Sequence, residues 1–553
     1  MPADFAVEGQ IVDLANRRTL PGRVTVESGR IAAIDEVAEA PATFLMPGFV
    51  DAHVHVESSM LVPTEFARAA VTHGTVATVS DPHEIGNVLG VAGVQFMLDN
   101  AAQTPFKFFF GAPSCVPATP FETAGASISV VEVEQLLDDP RIVYLSEMMN
   151  YPGVLNGDPD CLAKIKAALD RDKRVDGHAP GLRGDDAVRY ISAGITTDHE
   201  CFTKPEALDK LTEGCKIAIR EGSAARNFEA LHTLIGEHPK MTMLCSDDKH
   251  PDELCLGHIN LLARRAVAAG IDPYDVLQTA CANPVEHYGL SVGLLRLGDP
   301  ADFIEVDSLE QFDVQRTWID GELVSEAGNT KLASVPVEAI NQFQAREVSA
   351  DELSPELPAA GDAVQARVIV AEDGQLVTGA ESVDAPQRDG RLASDPARDL
   401  LKIVVVNRYA AAPAAVALVK NFGLERGAMA SSVAHDSHNV IAVGVDDADI
   451  AAAINLVMES GGGLSAVCTA ESESEVLPLP VAGLMATGDC QTVGDAYGKL
   501  DQLVKAWGSP LRAPYMTLSF MALLVIPSLK LSDKGLFDGD RFEFTSLLTP
   551  SQP

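Results

Sequence analysis

The sequence predicts an α/β fold, a (β/α)8 barrel with a small β domain and a C-terminal α+β domain. Between about residues 46 and 289, short β-rich runs such as "GTVATVSDP" and "RIVYLSEMM" alternate with Ala-rich runs such as "GVAGVQFMLDNA". This alternation is typical of repeated βα units in a parallel sheet. About eight such strands over roughly 240 residues is the size of a (β/α)8 barrel. Charged and polar residues collect where the strands end, which is the catalytic face of such barrels.

Two separate segments predict the small β domain. Residues 5–45 alternate apolar and polar positions around turn signals, as in "GQIVDLANRRTLPGRVTVESGRIAAIDE". A similar pattern returns at about 297–325 in "LGDPADFIEVD" and "RTWIDGELV". Such alternation indicates half-buried strands. We therefore expect residues 1–45 and 290–345 to form one β-sandwich domain beside a barrel that spans residues 46–289.

A linker is predicted at residues 346–365, where the chain becomes acidic and rich in Pro and Ala. Beyond it, "ARDLLKIVVVNRY" and "NVIAVGVDD" have the composition of strands, and "DIAAAINLVMESGG" that of a helix. These patterns indicate a C-terminal α+β domain over residues 366–553.

Length and charge limit the classes of function. A chain of 553 residues should divide into two or three domains. Its 79 acidic and 41 basic residues give a formal net charge of −38, which disfavours a nucleic-acid or anionic-membrane partner and suits a small neutral or cationic substrate.

Nine cysteines without a CxxC pair indicate reduced thiols. With no signal-peptide pattern or membrane-length apolar run, we expect a cytoplasmic protein and, by default, a homo-oligomer.

The stretch "MPGFVDAHVHVESSM" ends an apolar strand on two histidines, His53 and His55. Further imidazoles and carboxylates follow later strands of the predicted barrel: Glu147, His178, His199 and Asp247. Any one of these histidines could be an ordinary hydrogen-bonded residue. Converging on one barrel mouth, however, they form a ligand set for two divalent metals that share a bridging carboxylate. The mixed nitrogen and oxygen donors suit manganese, iron or zinc.

The order of these residues resembles that of the amidohydrolase superfamily of metal-dependent hydrolases. The flanking stretches "GFVDAHVH" and "GDPADF" are also similar. Longer motifs, "SDPHEIGNVLG", "SEMMNYPGV", "DGHAPGL" and "CSDDKHPDEL", resemble the bacterial adenine deaminase family. That family carries a glutamate, here Glu147, at the bridging position where many relatives use a carboxylated lysine. Since "MASSVAHDSHNVIAVG" and "SGGGL" resemble the family's extra domain, the similarity covers nearly the whole chain.

The resemblance implies hydrolysis of adenine to hypoxanthine and ammonia in purine salvage, with a binuclear Mn²⁺ or Fe²⁺ centre; Zn²⁺ suits the same ligands. A hydroxide between the metals would be the nucleophile, since metal binding lowers the pKa of water from 15.7 towards about 7. Asp247 is expected to contact a metal and to carry a proton to the leaving amine. Its neighbour Asp248 is the alternative ligand.

The reaction also needs an acid for a purine ring nitrogen. Glu57 follows the two histidines, and Glu84 with His83 follows the next strand, so either glutamate could protonate the ring or bind its edge. The alternative is that they are solvated loop residues or helix caps. Asp248 and His250 complete the candidate substrate contacts, although for His250 a position outside the pocket is slightly favoured.

The C-terminal stretch "VAHDSHN" contains His435, Asp436 and His438. A surface or structural role is favoured over a metal or active-site role, so they are left out of the ligand set.

The alternative function is that of another amidohydrolase, acting on a different purine or on a cyclic amide. Glu147 and its "SEMMNYPGV" context argue against it. An inert metal-binding or assembly protein would be expected to have lost ligands, yet all six positions are filled.

Overall fold

The computed structural model describes residues 4–358 and 364–550. Its first strands alternate buried and exposed side chains, as their sequence pattern predicts. They are β1 (Phe5–Asp13), β2 (Arg18–Glu27), β3 (Arg30–Glu36) and β4 (Phe44–Pro47). β1 pairs antiparallel with β2 and parallel with β4.

Eight parallel strands then form the predicted barrel, which is confirmed. They are β5 (Phe49–Val54), β6 (Thr75–Ser80), β7 (Lys107–Ala112), β8 (Ile142–Met148), β9 (Arg174–Gly177), β10 (Thr197–Asp198), β11 (Lys216–Arg220) and β12 (Thr242–Cys245). Neighbours pair in chain order from β5 to β12. The ring closes where the backbone N–H of Asp247, just after β12, donates to the carbonyl of His53 at 2.9 Å. Every residue of β5, β6 and β12 is buried, as expected of parallel strands covered by helices.

The helices of this region begin at recognisable signals. Ser129 and Glu132 form a capping box at the start of α4, and Asp158 caps α6 ahead of a proline in its first turn. The helices are α1 (Pro63–Ala70), α2 (His83–Leu89), α3 (Val91–Ala101), α4 (Val130–Asp138), α5 (Tyr151–Asn156), α6 (Pro159–Leu169), α7 (Gly184–Ser192), α8 (Lys204–Thr212), α9 (Phe228–Leu231), α10 (Thr233–Glu237), α11 (Pro251–Leu256), α12 (Ile259–Ala268), α13 (Pro273–Leu277) and α14 (Asn283–Tyr288).

After the barrel the chain returns to the first sheet. The returning strands are β13 (Phe303–Val306), β14 (Val314–Ile319), β15 (Glu322–Glu326) and β16 (Asn329–Thr330). β13 pairs antiparallel with β4, so both flanks of the barrel contribute to one eight-stranded sheet in the order β16-β15-β14-β13-β4-β1-β2-β3. Leu45, Phe303 and Trp318 pack in the core of this sheet.

The C-terminal region is an α+β domain built on a mixed sheet. Its strands are β17 (Val364–Val370), β18 (Gly379–Asp384), β19 (Gln387–Arg388), β20 (Arg391–Leu392), β21 (Leu401–Val406), β22 (Ala415–Lys420), β23 (Ala428–Ser431), β24 (Val440–Gly444), β25 (Gly463–Cys468), β26 (Glu473–Pro478), β27 (Leu529–Ser532), β28 (Gly535–Asp538), β29 (Glu543–Phe544) and β30 (Leu548–Pro550). Its helices are α15 (Asp447–Glu459), α16 (Cys490–Ala506) and α17 (Pro514–Phe520).

The predicted linker lies partly outside the described residues, at 359–363. Its earlier part packs against the C-terminal domain: Val348 and Leu353 are buried in the same apolar cluster as residues of α15. Asn455 of α15 also exchanges two hydrogen bonds, both of 2.9 Å, with the backbone of Val348.

The C-terminal domain lies over the mouth of the barrel. The backbone N–H of Ala486 donates to the carbonyl of Met60 at 2.8 Å, and the Asn439 side chain donates to the carbonyl of Thr123 at 2.8 Å. Residues 432–439, between β23 and β24, are thereby held above the ends of the barrel strands. Across residues 4–358 and 364–550, no helix is long and apolar enough to cross a membrane.

Candidate metal centre and cavity

The two histidines of the HxH pair lie at the end of β5, where the barrel opens. The Nε2 atoms of His53 and His55 are 3.2 Å apart, and both side chains are buried. The His55 backbone N–H donates to the carbonyl of Asp247, which ties the first and last strands together at this point. The parallel topology therefore delivers the imidazoles to the mouth of the barrel.

Glu147, at the end of β8, lies at the centre of the cluster. Its Oε2 atom is 2.9 Å from His199 Nε2 and 3.0 Å from His178 Nδ1. Its Oε1 atom is 3.6 Å from His55 Nε2, and its Oε2 atom is 3.8 Å from His53 Nε2. One carboxylate thus reaches both pairs of imidazoles, which is the position that a bridging ligand needs.

Asp247 completes the set from the loop after β12. Its Oδ1 atom is 3.6 Å from His53 Nε2 and 3.4 Å from His55 Nε2. Asp247 has a φ of 54°, a left-handed conformation that Asp adopts more readily than most residues. All six predicted ligands therefore lie in one buried cluster.

The donor atoms of this cluster fit divalent metals. Their contacts span 2.9 to 3.8 Å, close to the separations expected between ligands whose bonds to a common ion are about 2.0–2.2 Å. Burial and the neighbouring His199 and His55 hold the pKa of His53 well below its usual value. For His55, His178 and His199, nearby carboxylates outweigh burial and raise the pKa. Burial alone would raise the pKa of Glu147, but its histidine neighbours hold it well below the usual range.

Two further charged residues of the site were missed by sequence reasoning. Arg220 is fully buried at the end of β11, where its guanidinium donates to Glu200 at 2.9 Å and to Asp247 at 2.6 Å. Glu200 Oε1 is 3.5 Å from His199 Nε2 and 3.6 Å from His178 Nδ1. The sequence did contain signals for both residues: Arg220 is a charged residue at a strand end in "KIAIREG", and Glu200 directly follows the candidate ligand His199 in "DHEC".

Glu57 and Glu84, the two candidates for the acid that protonates the purine ring, lie in different surroundings. His83 and Glu84 begin α2 and line the cavity. Glu57 is buried against α2, where its Oε1 atom accepts from the Ile85 N–H at 3.2 Å. It is not among the described residues that line the cavity. Burial raises the pKa of Glu57 to about 7.

Asp248 and His250 follow Asp247 but face different surroundings. Asp248 lines the cavity and accepts from the Ser58 hydroxyl at 2.6 Å. His250 is buried with its ring 4.5 Å from that of Tyr497. It is not among the described lining residues, and burial lowers its pKa to about 3.

The C-terminal domain contributes directly to the cavity, contrary to the favoured expectation of surface or structural histidines. His435 and Asp436 line it, and His438 is fully buried beside them. His435 Nδ1 is 2.5 Å from Glu84 Oε1, and His438 Nε2 contacts the other Glu84 oxygen. The physical reason is the docking of residues 432–439 onto the barrel, a contact between segments far apart in the chain.

The cavity lies between the mouth of the barrel and the C-terminal domain, and residues of both line it. Its polar floor comes from the barrel, whereas Leu376, Phe520 and Leu523 of the C-terminal domain give it apolar walls. This arrangement suits a compact ligand with polar edges.

Comparison with known proteins places the chain in a family. The amidohydrolase family matches residues 44–324, and the adenine deaminase C-terminal domain matches residues 375–543. Similar relatives include proteins named adenine deaminase from Salinibacter ruber, 56% identical over 98% of this chain and 99% of the relative, and from Sulfurovum sp., 56% identical over 97% and 98%. Another from Methanosarcina mazei is 52% identical over 98% of both chains. The chain belongs to the adenine deaminase family of amidohydrolases.

Proposed function

We propose that the chain hydrolyses adenine, giving hypoxanthine and ammonia. Adenine deaminase is the name of relatives that match this chain over nearly its whole length. The observation that supports it is the position of Glu147, whose carboxylate reaches four imidazoles and lines the cavity beneath the C-terminal domain.

The metal ligands we propose are those predicted from the sequence: His53, His55, Glu147, His178, His199 and Asp247. Manganese or iron is our proposal for the two metals, and zinc suits the same donors. When bound, such metals supply an activated water nucleophile at neutral pH.

Asp247 is our candidate for the proton shuttle. Burial alone would raise its pKa, but Arg220 and the neighbouring histidines hold it well below the usual range. An ionised Asp247 can accept a proton from the attacking water and then give it to the departing amine. Arg220 occupies Oδ2, while Oδ1 faces His53 and His55.

Polar residues around the cavity are candidates to form hydrogen bonds with the nitrogen atoms at the edge of the purine. We propose that His83, Glu84 and Asp248 contribute hydrogen bonds, while Phe520 packs against the ring. His250 is proposed only to support this wall, through its contact with Tyr497.

A substrate panel tests this proposal. Ammonia release is measured for adenine, adenosine, guanine and cytosine with the manganese-loaded protein, together with a dihydropyrimidine for the cyclic-amide alternative. Turnover of adenine alone supports the proposal. Preferred turnover of another compound, with the metals bound, would assign a different substrate to the same site.

A homo-oligomeric state and a cytoplasmic location are further proposals. Closed symmetric homo-oligomers are the commonest assemblies of such proteins, and light scattering of the purified protein measures the state. A cytoplasmic location would keep the nine cysteines as free thiols.

A further inference from the structure

Addition of water to C6 of adenine places electron density on the adjacent ring nitrogen, so an acid must supply a proton there. Such a group must line the cavity and carry a proton at neutral pH. Glu57 does not meet the first condition, because it lies outside the described lining. Glu84 does not meet the second: burial alone would raise its pKa, but His435 and His438 hold it well below the usual range.

His435 meets the geometric condition. It lies in the segment between β23 and β24, lines the cavity and is 3% exposed. Its Nδ1 atom lies against Glu84 Oε1 at 2.5 Å, while its Nε2 atom has no hydrogen-bond partner among the described residues. The ring is held in place by Phe520, whose centroid is 5.2 Å away.

We propose that His435 is the catalytic acid that protonates the purine ring nitrogen next to C6, with Glu84 as the carboxylate that orients its ring. This inference rests on the proposed function and adds a residue from the C-terminal domain to it. In such a pair the carboxylate receives one ring N–H and stabilises the imidazolium, which leaves the other N–H to the substrate.

His438 holds Glu84 from its other side. Its Nδ1 atom accepts from the Ala434 N–H at 3.3 Å, so the neutral ring carries its proton on Nε2, the atom that contacts Glu84. Glu84 therefore lies between two histidines, of which only His435 lines the cavity. His438 is accordingly a positioning residue.

The charges around His435 favour its protonated form. Burial alone would lower its pKa, but Glu84 on α2, Asp248 after β12 and Asp436 in its own segment raise it to about 9. His438 and His250 also face it and are the nearby groups that oppose its charge. Both are held below their usual pKa, mainly by burial, and are therefore neutral at pH 7.

The proton balance closes with one water per turnover. As the C6–O bond forms, the His435 Nε2 proton passes to the ring nitrogen. Asp247 takes a proton from the attacking oxygen and gives it to the amine as the C6–N bond breaks, releasing ammonia. The incoming water supplies the proton that restores His435.

The test compares His435→Gln with His287→Gln, a matched change at a buried histidine that is not among the described residues lining the cavity. Metal content, kcat and the pH profile of kcat/KM are measured on the full-length, manganese-loaded protein. We expect His435→Gln to lower kcat about 100-fold or more with metal content unchanged. Wild-type activity should fall as pH rises through about 9, because the protonated acid is then lost. This basic limb of the pH profile should be absent from His435→Gln but retained in His287→Gln.

A second variant keeps the test decisive if His435→Gln does not fold. Glu84→Gln removes the largest charge that favours the imidazolium, so its basic limb should move to lower pH. The proposal is overturned if His435→Gln keeps kcat within about threefold, if its activity falls only in proportion to lost metal, or if the basic limb is unchanged in Glu84→Gln. A wild type inactive on adenine would instead refute the proposed function.

Discussion

Arg220 Nη1 lies 2.6 Å from Asp247 Oδ2, and both side chains are buried at the floor of the cavity. The same guanidinium pairs with Glu200, so one cation serves two carboxylates. This contact occupies one oxygen of Asp247 and leaves Oδ1 facing His53 and His55. It therefore both orients the proposed proton shuttle and keeps it ionised.

Asp247→Asn should lower kcat for adenine by about 100- to 10,000-fold, the range expected for loss of a general base. The amide cannot accept the proton of the attacking water, although it can keep a hydrogen bond to Arg220. Circular dichroism checks that the fold is intact. Near wild-type turnover in Asp247→Asn, together with an inactive Asp248→Asn, would move the role to Asp248.

Arg220→Met should destabilise the protein, because Glu200 and Asp247 would remain buried without their cation. Breaking a buried ion pair in this way costs about 3–5 kcal/mol. Denaturant unfolding measures the loss, and kcat should fall with it. Arg183→Met, at an exposed arginine that pairs with Asp209, is the control and should change stability little. Equal effects of the two variants would contradict the role given to Arg220.

Glu147→Gln should weaken metal binding, since a neutral amide replaces the carboxylate that reaches both imidazole pairs. We expect metal affinity to fall at least about tenfold, by analogy with losses at supporting residues, as measured by competition with a chelator. Glu122→Gln is the matched control: burial raises the pKa of Glu122 to about 8, so its carboxyl is already largely neutral at pH 7. Unchanged metal affinity in Glu147→Gln would remove it from the ligand set.

Lys530 makes the stability of the C-terminal domain depend on pH. It is fully buried and donates to the carbonyls of Leu376 and Phe520, at 2.6 and 2.9 Å, and burial lowers its pKa to about 7. The unfolded chain keeps a lysine pKa near 10.4 and binds more protons between those values. The free energy of unfolding of the wild type should therefore rise with pH between about 7 and 10.4, relative to that of Lys530→Met measured at the same pH. A difference on the order of a few kcal/mol is expected; a flat or falling difference would contradict the assigned pKa.

The convergence of the six candidate metal ligands could be predicted from the sequence because a parallel barrel brings the ends of all its strands to one mouth. The residues "HVH" and Glu147 needed only this topology and the order of the strands. Arg220 was missed because its role depends on the partners that the fold places beside it, although it also ends a strand.

The contribution of the C-terminal domain could not be predicted in the same way. His435 reaches Glu84 through docking between domains, which leaves no periodic pattern in either segment. For His250, nearness in sequence was misleading. It follows Asp248 by two residues, but it lies directly before α11, and its side chain packs against Tyr497 instead of lining the cavity. The two flanking β segments were recognisable separately, but only the pairing of β4 with β13 joins them into one sheet.

We infer that the barrel histidines, Glu147 and Asp247 hold the metals that make adenine hydrolysis possible. The most direct test is ammonia release from adenine by chelated protein titrated with Mn²⁺. We expect no turnover without metal, and a rise in turnover that reaches a plateau near two equivalents of Mn²⁺ per chain. Full turnover by the metal-free protein, or metal binding at this site without any turnover of adenine, would contradict it.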